Sequence, residues 1–229
     1  MLPDYEGILR SDPGIFLFIV IFQIIWAIGC FLLGIFGIYY RKKAEMKSKK
    51  NYYFGLGLIF ILLGISRIIF FYHDFIAPEY LGAINLDILL WKIASTIMLA
   101  GFTILSYVIE TYIYKKTKHI FTIFGIIITI LYLILMDKSL ATTILYVGNG
   151  ALIFLPFLLY LFMAINTTGD IRKKAATIVL GMAILLVGSA LGIFVLIFPD
   201  FKIPSLMFSP PIMLVGFIIV WYGFIKMSR

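Results

Sequence analysis

Seven long apolar runs, separated by short polar or charged connections, make up nearly all of this 229-residue chain. A helix needs about 20 mainly apolar residues to cross the hydrocarbon core of a bilayer, and each run is at or near that length. The predicted spans are Gly14 to Tyr40, Tyr52 to His73, Ile84 to Tyr114, His119 to Met136, Ala141 to Ile165, Lys173 to Phe198, and Leu206 to Lys226. The pattern predicts an all-α fold: a polytopic membrane bundle of seven transmembrane helices, forming one domain over residues 1–229.

The amino-acid composition also indicates a membrane protein. Hydrophobic residues make up 63% and charged residues 13% of the chain, whereas soluble domains are about half apolar and a quarter charged. A net charge of +8 would suggest a nucleic-acid partner for a soluble protein, but these basic residues lie in the connections between apolar runs. The lipid bilayer is therefore the expected partner, and nucleic-acid binding is not expected.

Lysine and arginine are distributed unequally between the two sides of the predicted bundle. One side carries Arg41, Lys42, Lys43, Lys47, Lys49, Lys50, Lys115, Lys116, Lys118, Arg172, Lys173, Lys174, Lys226 and Arg229. The opposite side carries Arg10, Lys138 and Lys202. Because basic residues concentrate in cytoplasmic connections, we predict a multi-pass protein of the cell membrane with its amino terminus outside and its carboxyl terminus inside. The cytoplasmic loops, above all residues 41–50, are expected to attract anionic lipid.

A weak internal repeat relates helices 1–3 to helices 5–7. Arg41-Lys42-Lys43-Ala44 recurs as Arg172-Lys173-Lys174-Ala175, and the Gly57 and Gly64 pair of helix 2 recurs as Gly181 and Gly188 of helix 6. One interpretation is a 3+1+3 repeat, an arrangement of transporters that bind substrate where the repeats meet. The other is that basic loops and small residues recur in any membrane protein. Both interpretations stay open.

Arg67 and Lys92 are the two basic residues inside the apolar runs. An ionised group at membrane depth costs roughly 2.5–3.5 kcal/mol on insertion scales, so such groups usually face the protein interior and have partners. We therefore expect a small-ligand pocket in the outer half of the bundle. Its predicted residues are Arg67, Lys92, Asp87, Asp74, His73, Gln23 and Asn149.

Each of these pocket residues also has a structural interpretation. Side chains tilt toward the amino terminus of their helix, so Arg67 points toward the membrane middle and could form a purely structural bridge to Asp87 or Asp74. The pair of His73 and Asp74 could be pH-sensitive, because histidine titrates near neutrality, or it could cap and anchor a helix end. The two amides could serve as hydrogen-bonding contacts between helices.

Helix 3 carries a long polar stripe. Lys92, Thr96, Thr103, Ser106 and Glu110 are separated by three, four or seven residues, which places them on one face of an α-helix. A stripe of this length is expected to face the bundle interior or a water-filled pathway. The alternative is that the hydroxyls bond back to their own helix while Lys92 and Glu110 lie near opposite water interfaces.

Neither catalysis nor a metal site or cofactor is expected. His73 and His119 are assigned to opposite sides of the membrane, and neither a Gly-x-Ser-x-Gly nor a Walker pattern occurs. The predicted topology resembles that of microbial rhodopsins and other seven-helix receptors, and also the 3+1+3 arrangement of SWEET and PQ-loop transporters. Neither family's motif is present: the only lysine of helix 7 is Lys226 at its inner end, and no Pro-Gln pair occurs.

Three functions remain as hypotheses. The leading one is a receptor-like or sensory seven-helix protein with a small-ligand pocket, which passes its output to a partner protein at the cytoplasmic loops. The second is a small-solute transporter in which helix 3 lines the pathway. The third is an accessory membrane subunit whose buried charges pair with another membrane chain.

Overall fold

The computed structural model describes residues 13–75, 84–135, 138–197 and 202–228, and almost all of them are helical. The helices in these ranges are α1 (Pro13–Lys43), α2 (Lys47–Phe75), α3 (Ile84–Tyr112), α4 (Ile120–Ile134), α5 (Lys138–Asn166), α6 (Gly169–Ile197) and α7 (Lys202–Ser228). A short 3₁₀ helix (Lys115–Thr117) lies between α3 and α4. The predicted all-α class is confirmed.

Six of the described helices are long and apolar enough to cross a membrane, and α4 is a shorter apolar helix. The prediction of a multi-pass membrane protein is therefore supported by these six helices. The seventh span and the orientation stay predictions, and the predicted span ends at Met136 and Phe198 lie outside the described residues. Within each compact unit described below, the end of the helices that carries the basic loops is called inner, and the opposite end outer.

The chain divides into two compact units. The first unit is Ala27–Pro156, and the second unit combines Met1–Trp26 with Phe157–Arg229. The first unit contains α2, α3 and α4 with parts of α1 and α5, and the second contains α6 and α7 with the remainders. The single-domain organisation stays a prediction.

In the first unit, α1 and α2 approach each other closely through glycines. A Cβ atom built on Gly37 would lie 2.7 Å from the Cα of Gly57, and one built on Gly34 would lie 3.0 Å from the carbonyl oxygen of Gly57. Small residues permit such approach, which matters in lipid because apolar burial gives neighbouring helices little reason to associate. Van der Waals contact between the two backbones therefore holds this pair.

In the second unit, glycines join α6 to α7 in the same way. A Cβ atom on Gly181 would lie 2.7 Å from the backbone nitrogen of Val220, and the hydroxyl of Ser209 donates a 2.8 Å hydrogen bond to the carbonyl of Gly188. The glycines at matching positions of the suggested repeat thus serve different neighbours, since Gly57 meets α1 whereas Gly181 meets α7. The 3+1+3 repeat stays a prediction.

The short helix α4 packs through one narrow stripe. Its buried residues are Gly125, Ile128 and Tyr132. The side chains exposed on its other faces are Ile120, Ile123, Phe124, Ile126, Ile127, Ile130, Leu131, Leu133 and Ile134. An isoleucine-rich segment would favour a strand in water, but within lipid its backbone groups must be satisfied internally, which favours the helix. At 15 residues, α4 is about 22 Å long, so its ends need partners from elsewhere in the unit.

Candidate functional site

The polar stripe of α3 faces α4. A Cβ atom built on Gly125 would lie 2.5 Å from the Oγ1 of Thr103, and the ring of Trp91 meets Tyr132 edge-on with centroids 5.8 Å apart. The two helices run antiparallel, so residues early in α3 meet residues late in α4. The face of α3 that the periodicity predicted to point into the bundle is therefore the face on which α4 packs.

Glu110 caps the amino-terminal end of α4. Its carboxylate is buried, with 2% of the residue exposed, and it accepts hydrogen bonds from the backbone nitrogens of Phe121 and Thr122, both at 2.9 Å. The hydroxyl of Thr122 donates a third bond at 2.5 Å. The first N–H groups of a helix have no partner within it, and a negative charge there is also favoured by the helix dipole. The preceding His119 makes no side-chain cap, so α3 supplies this one.

Lys92 holds the opposite end of α4. Its Nζ donates a hydrogen bond to the carbonyl oxygen of Leu135, which is the residue that caps the carboxyl end of α4. A cation at this end is the favourable partner for the dipole and for the last unpaired carbonyls. Lys92 and Glu110 are about 27 Å apart along α3 at 1.5 Å per residue, so one helix clamps both ends of the other.

The three hydroxyl residues of the stripe differ in their hydrogen bonding. The hydroxyl of Thr103 donates a 2.9 Å bond back to the carbonyl of Leu99, as the alternative interpretation of the stripe expected. The Oγ1 of Thr96 and the Oγ of Ser106 are buried and have no hydrogen-bond partner among the described residues. Their assignment to a polar pathway stays a prediction, and the tight contact of Thr103 with Gly125 lies between them.

Four buried oxygens of α3, α4 and α5 lie in the outer half of the first unit, and we call them the outer polar cluster: Ser95 Oγ, Thr96 Oγ1, Tyr132 OH and Asn149 Oδ1. Ser95 and Tyr132 are fully buried and lie close together. The Ser95 hydroxyl interacts with the Tyr132 hydroxyl, although the pair lacks the geometry of a full hydrogen bond. The Oγ1 of Thr96 and the Oδ1 of Asn149 have no hydrogen-bond partner within the part of the chain that the structure describes. A buried polar group without a partner in an apolar environment costs about 1–3 kcal/mol, so the cluster is a place that favours added polar atoms.

Asn149 joins this cluster through the packing of α5 on α4. It follows Gly148, where an added Cβ atom would lie 2.5 Å from the Cγ2 of Ile128. Ile128 precedes Tyr132 by about one turn of α4, which is about 5.4 Å along the helix. The backbone of Asn149 therefore lies about one turn deeper than that of Tyr132.

Arg67 lies at the same depth as the cluster. The adjacent Ser66 donates a 2.8 Å hydrogen bond to the carbonyl of Ala94, which fixes this turn of α2 beside the turn of α3 that carries Ser95. Arg67 itself is half-buried, and its guanidinium carbon lies 5.6 Å from the ring centroid of Phe70. Its proposed bridge to Asp87 is not described, because that side chain lies outside the described set.

His73 and Asp74 form a pair near the outer end of α2. His73 is 1% exposed, and its Nδ1 lies 2.7 Å from the Oδ1 of Asp74. Seven residues separate His73 from Ser66, which is about 10 Å along the helix, so the pair lies about two turns nearer the outer end than Arg67. Gln23, the last predicted pocket residue, is half-buried in the part of α1 that belongs to the second unit.

Sequence reasoning missed Ser95 and Tyr132. Ser95 follows Lys92 by three residues and so shares its face of α3, which was the available signal. Tyr132 is the only tyrosine in α4, and a lone phenol in an aliphatic helix seeks a partner when buried. Among the described residues, no group of three or more His, Cys, Asp or Glu side chains could hold a metal ion.

Comparison with protein-family models, with curated proteins and with solved structures gives no match. The function must therefore be argued from the outer polar cluster and its surroundings.

Proposed function

We propose that this chain is a receptor-like membrane protein that recognises a small polar ligand at the outer polar cluster. The observation that carries the proposal is the set of four buried oxygens, of which Thr96 Oγ1 and Asn149 Oδ1 have no hydrogen-bond partner among the described residues and the Ser95 and Tyr132 hydroxyls have only each other. Buried polar groups in native proteins are nearly always hydrogen-bonded, so each exception calls for an explanation. A ligand that supplies the missing bonds is the explanation this proposal adopts.

The chemistry of the cluster favours an uncharged ligand with hydroxyl or amide groups. The hydroxyls of Ser95, Thr96 and Tyr132 can donate and accept, whereas the Oδ1 of Asn149 only accepts. All four groups of the cluster itself are uncharged, and the Lys92 ammonium donates a hydrogen bond to the Leu135 carbonyl at the end of α4. Trp91 adds an apolar aromatic wall beside Tyr132. A polyol, a sugar or a small amide suits this combination better than an anion.

Transport is the second candidate, and Ser106 favours it. The Ser106 Oγ is a further buried oxygen without a partner in the described ranges, and it lies farther inward on α3 than the cluster. A solute moving between the two would have to separate α3 from α4 where Gly125 abuts Thr103. That barrier is the reason we rank recognition above transport.

An accessory-subunit function ranks third. That hypothesis required buried charges with partners on another chain, yet Glu110 and Lys92 both bind backbone groups of α4. The proposal includes no catalytic step. The proposed partners are the lipid bilayer, with anionic lipid at the inner loops, and a protein. This protein partner would bind at the inner loops and receive the signalling output.

The test is ligand-dependent stabilisation of the full chain in lipid nanodiscs, measured against a panel of polyols, sugars, small amides and anions. We expect a neutral member to raise the melting temperature, and the Tyr132→Phe and Ser95→Ala variants to bind it about tenfold more weakly, as loss of one hydrogen bond predicts. The matched control is Tyr146→Phe, because Tyr146 is an exposed tyrosine of α5.

Full affinity in the Tyr132→Phe/Ser95→Ala double variant would refute the proposal. Reconstituted vesicles then separate the first two candidates. Saturable uptake of the stabilising compound into protein-containing vesicles would favour transport, and binding without uptake would favour a receptor.

A further inference from the structure

The inner end of the first unit carries two basic segments that the fold brings together. The first segment joins α1 to α2 and contains Arg41, Lys42, Lys43, Lys47, Lys49 and Lys50; the second lies between α3 and α4 and contains Lys115, Lys116 and Lys118. We call these segments together the basic inner face. Glu45 is the only acidic residue in the two segments, so the face has a strong positive charge.

Aromatic contacts show that the two segments lie at the same end. Tyr40 at the end of α1 stacks on Tyr53 at the start of α2, with centroids 5.7 Å apart. Tyr52 meets Tyr112 at the end of α3 edge-on at 6.0 Å. The basic residues that flank these tyrosines in sequence therefore flank them in space, and neither segment stands alone.

The basic side chains are available to an outside partner. Arg41, Lys42, Lys43, Lys47, Lys50, Lys115, Lys116 and Lys118 are all exposed. The guanidinium of Arg41 lies 4.5 Å over the ring of Phe54, and the ammonium of Lys43 lies 4.6 Å over the ring of Tyr39. These contacts hold the charges beside aromatic rings of the kind that settle at a membrane–water interface.

The corresponding loop of the second unit has a weaker charge. It carries Arg172, Lys173 and Lys174, but Lys174 forms a 2.7 Å ion pair with Asp170. This single loop thus presents fewer basic side chains outside ion pairs than the basic inner face, which presents basic side chains from two segments. The difference makes the second-unit loop a natural control.

We propose that the basic inner face binds anionic phospholipid headgroups and prefers those that carry two phosphates over those that carry one. The face adjoins the ends of membrane helices, so lipid phosphate is at high local concentration there. Basic residues near an anionic membrane surface each contribute about 1 kcal/mol, and basic pockets between helices bind multiply charged headgroups. Two converging segments can engage two phosphates at once, which gives the preference for the divalent headgroup.

The test measures lipid retention by mass spectrometry of the full chain in neutral detergent, with phosphatidylcholine, phosphatidylglycerol and cardiolipin at equal phosphate concentrations. We expect cardiolipin to bind most tightly. Lys47→Gln/Lys50→Gln and Lys115→Gln/Lys116→Gln should each weaken cardiolipin binding about 30-fold, since each removes two charges from one segment. Arg172→Gln/Lys173→Gln, which also removes two charges, should change it less than twofold.

Three results would overturn the inference. They are equal affinity for the one-phosphate and two-phosphate lipids, an equal loss in the Arg172→Gln/Lys173→Gln control, and displacement of cardiolipin by soluble tripolyphosphate at matched affinity. The last result would assign the face to a free anion rather than to a lipid. A melting curve for each variant checks that these exposed substitutions leave the fold intact.

Discussion

Replacing Glu110 should detach the amino-terminal end of α4. The carboxylate accepts two backbone bonds at 2.9 Å and one hydroxyl bond at 2.5 Å. Hydrogen bonds to a charged group contribute about 1.5–3 kcal/mol each, and loss of a helix cap costs about 0.5–2 kcal/mol. Such terms do not add fully, because removing the buried carboxylate also removes its desolvation cost. We therefore expect Glu110→Ala to lower the free energy of α4 docking by about 2–4 kcal/mol.

The assay is hydrogen exchange of the full chain in nanodiscs, read at the backbone amides of Phe121 and Thr122. Both amides donate to Glu110, so a loss of about 2–4 kcal/mol predicts exchange about 30- to 1,000-fold faster in Glu110→Ala. Glu110→Gln should give an intermediate increase, because its amide nitrogen is a donor and cannot accept from a second N–H group.

Asp170→Asn is the matched control for Glu110. Asp170 is also an acid in the first turn of a helix, but it is exposed and pairs only with Lys174 in the described residues. Exposed ion pairs of this kind contribute little to stability because solvent screens them. If exchange at Phe121 and Thr122 rose no more in Glu110→Ala than α6 exchange rises in Asp170→Asn, the capping argument would be refuted.

Three further predictions concern the packing of the first unit. Lys92→Met should cost about 1–2 kcal/mol by leaving the Leu135 carbonyl without its donor, and exchange should quicken in the last turn of α4 while staying unchanged in α6. Gly125→Ala should lower the free energy of unfolding by about 1–3 kcal/mol because the added methyl group overpacks against Thr103. This loss should be smaller in the Gly125→Ala/Thr103→Ala double variant. Denaturation curves in which the effects of the two substitutions simply add would contradict this. Gly37→Ala should destabilise the protein by a similar amount because its Cβ would meet the backbone of α2. Gly150→Ala, with nothing within 4 Å of the added Cβ among the described residues, should instead stabilise it by about 0.5–1 kcal/mol. Equal melting temperatures of the Gly37→Ala and Gly150→Ala variants would exclude the close approach of α1 and α2.

The sequence predicted the helices and the shared face of α3 because both follow from periodicity. It could not predict that Lys92 and Glu110 bind the two ends of α4, because their partners are backbone groups, which have no signature in a sequence. The tilt argument favoured Arg67 over Lys92 as the more constrained charge, and that ranking stays a prediction; the structure shows that Lys92 binds the Leu135 carbonyl.

A local sequence pattern also does not show which helices pack against each other. The glycine pairs of α2 and α6 have the same spacing, but one meets α1 and the other meets α7. Ser95 and Tyr132 were missed for a related reason. A single serine or tyrosine in an apolar run is ordinary, and only the packing of α3 on α4 brings these two together.

The account depends most on the polar face of α3 being turned toward α4, and disulfide cross-linking tests this directly. In a Cys30→Ala background, which removes the only native cysteine, Thr103→Cys and Gly125→Cys should form a disulfide rapidly in native membranes. The separation of a Cβ built on Gly125 from the Thr103 side-chain atoms is 2.5–3.0 Å, and disulfides need Cβ atoms about 3.5–4.5 Å apart. The control pair of Thr103→Cys and Ile127→Cys, whose second position is exposed, should not react. Equal reaction of the two pairs, or reaction of the control pair alone, would contradict the account.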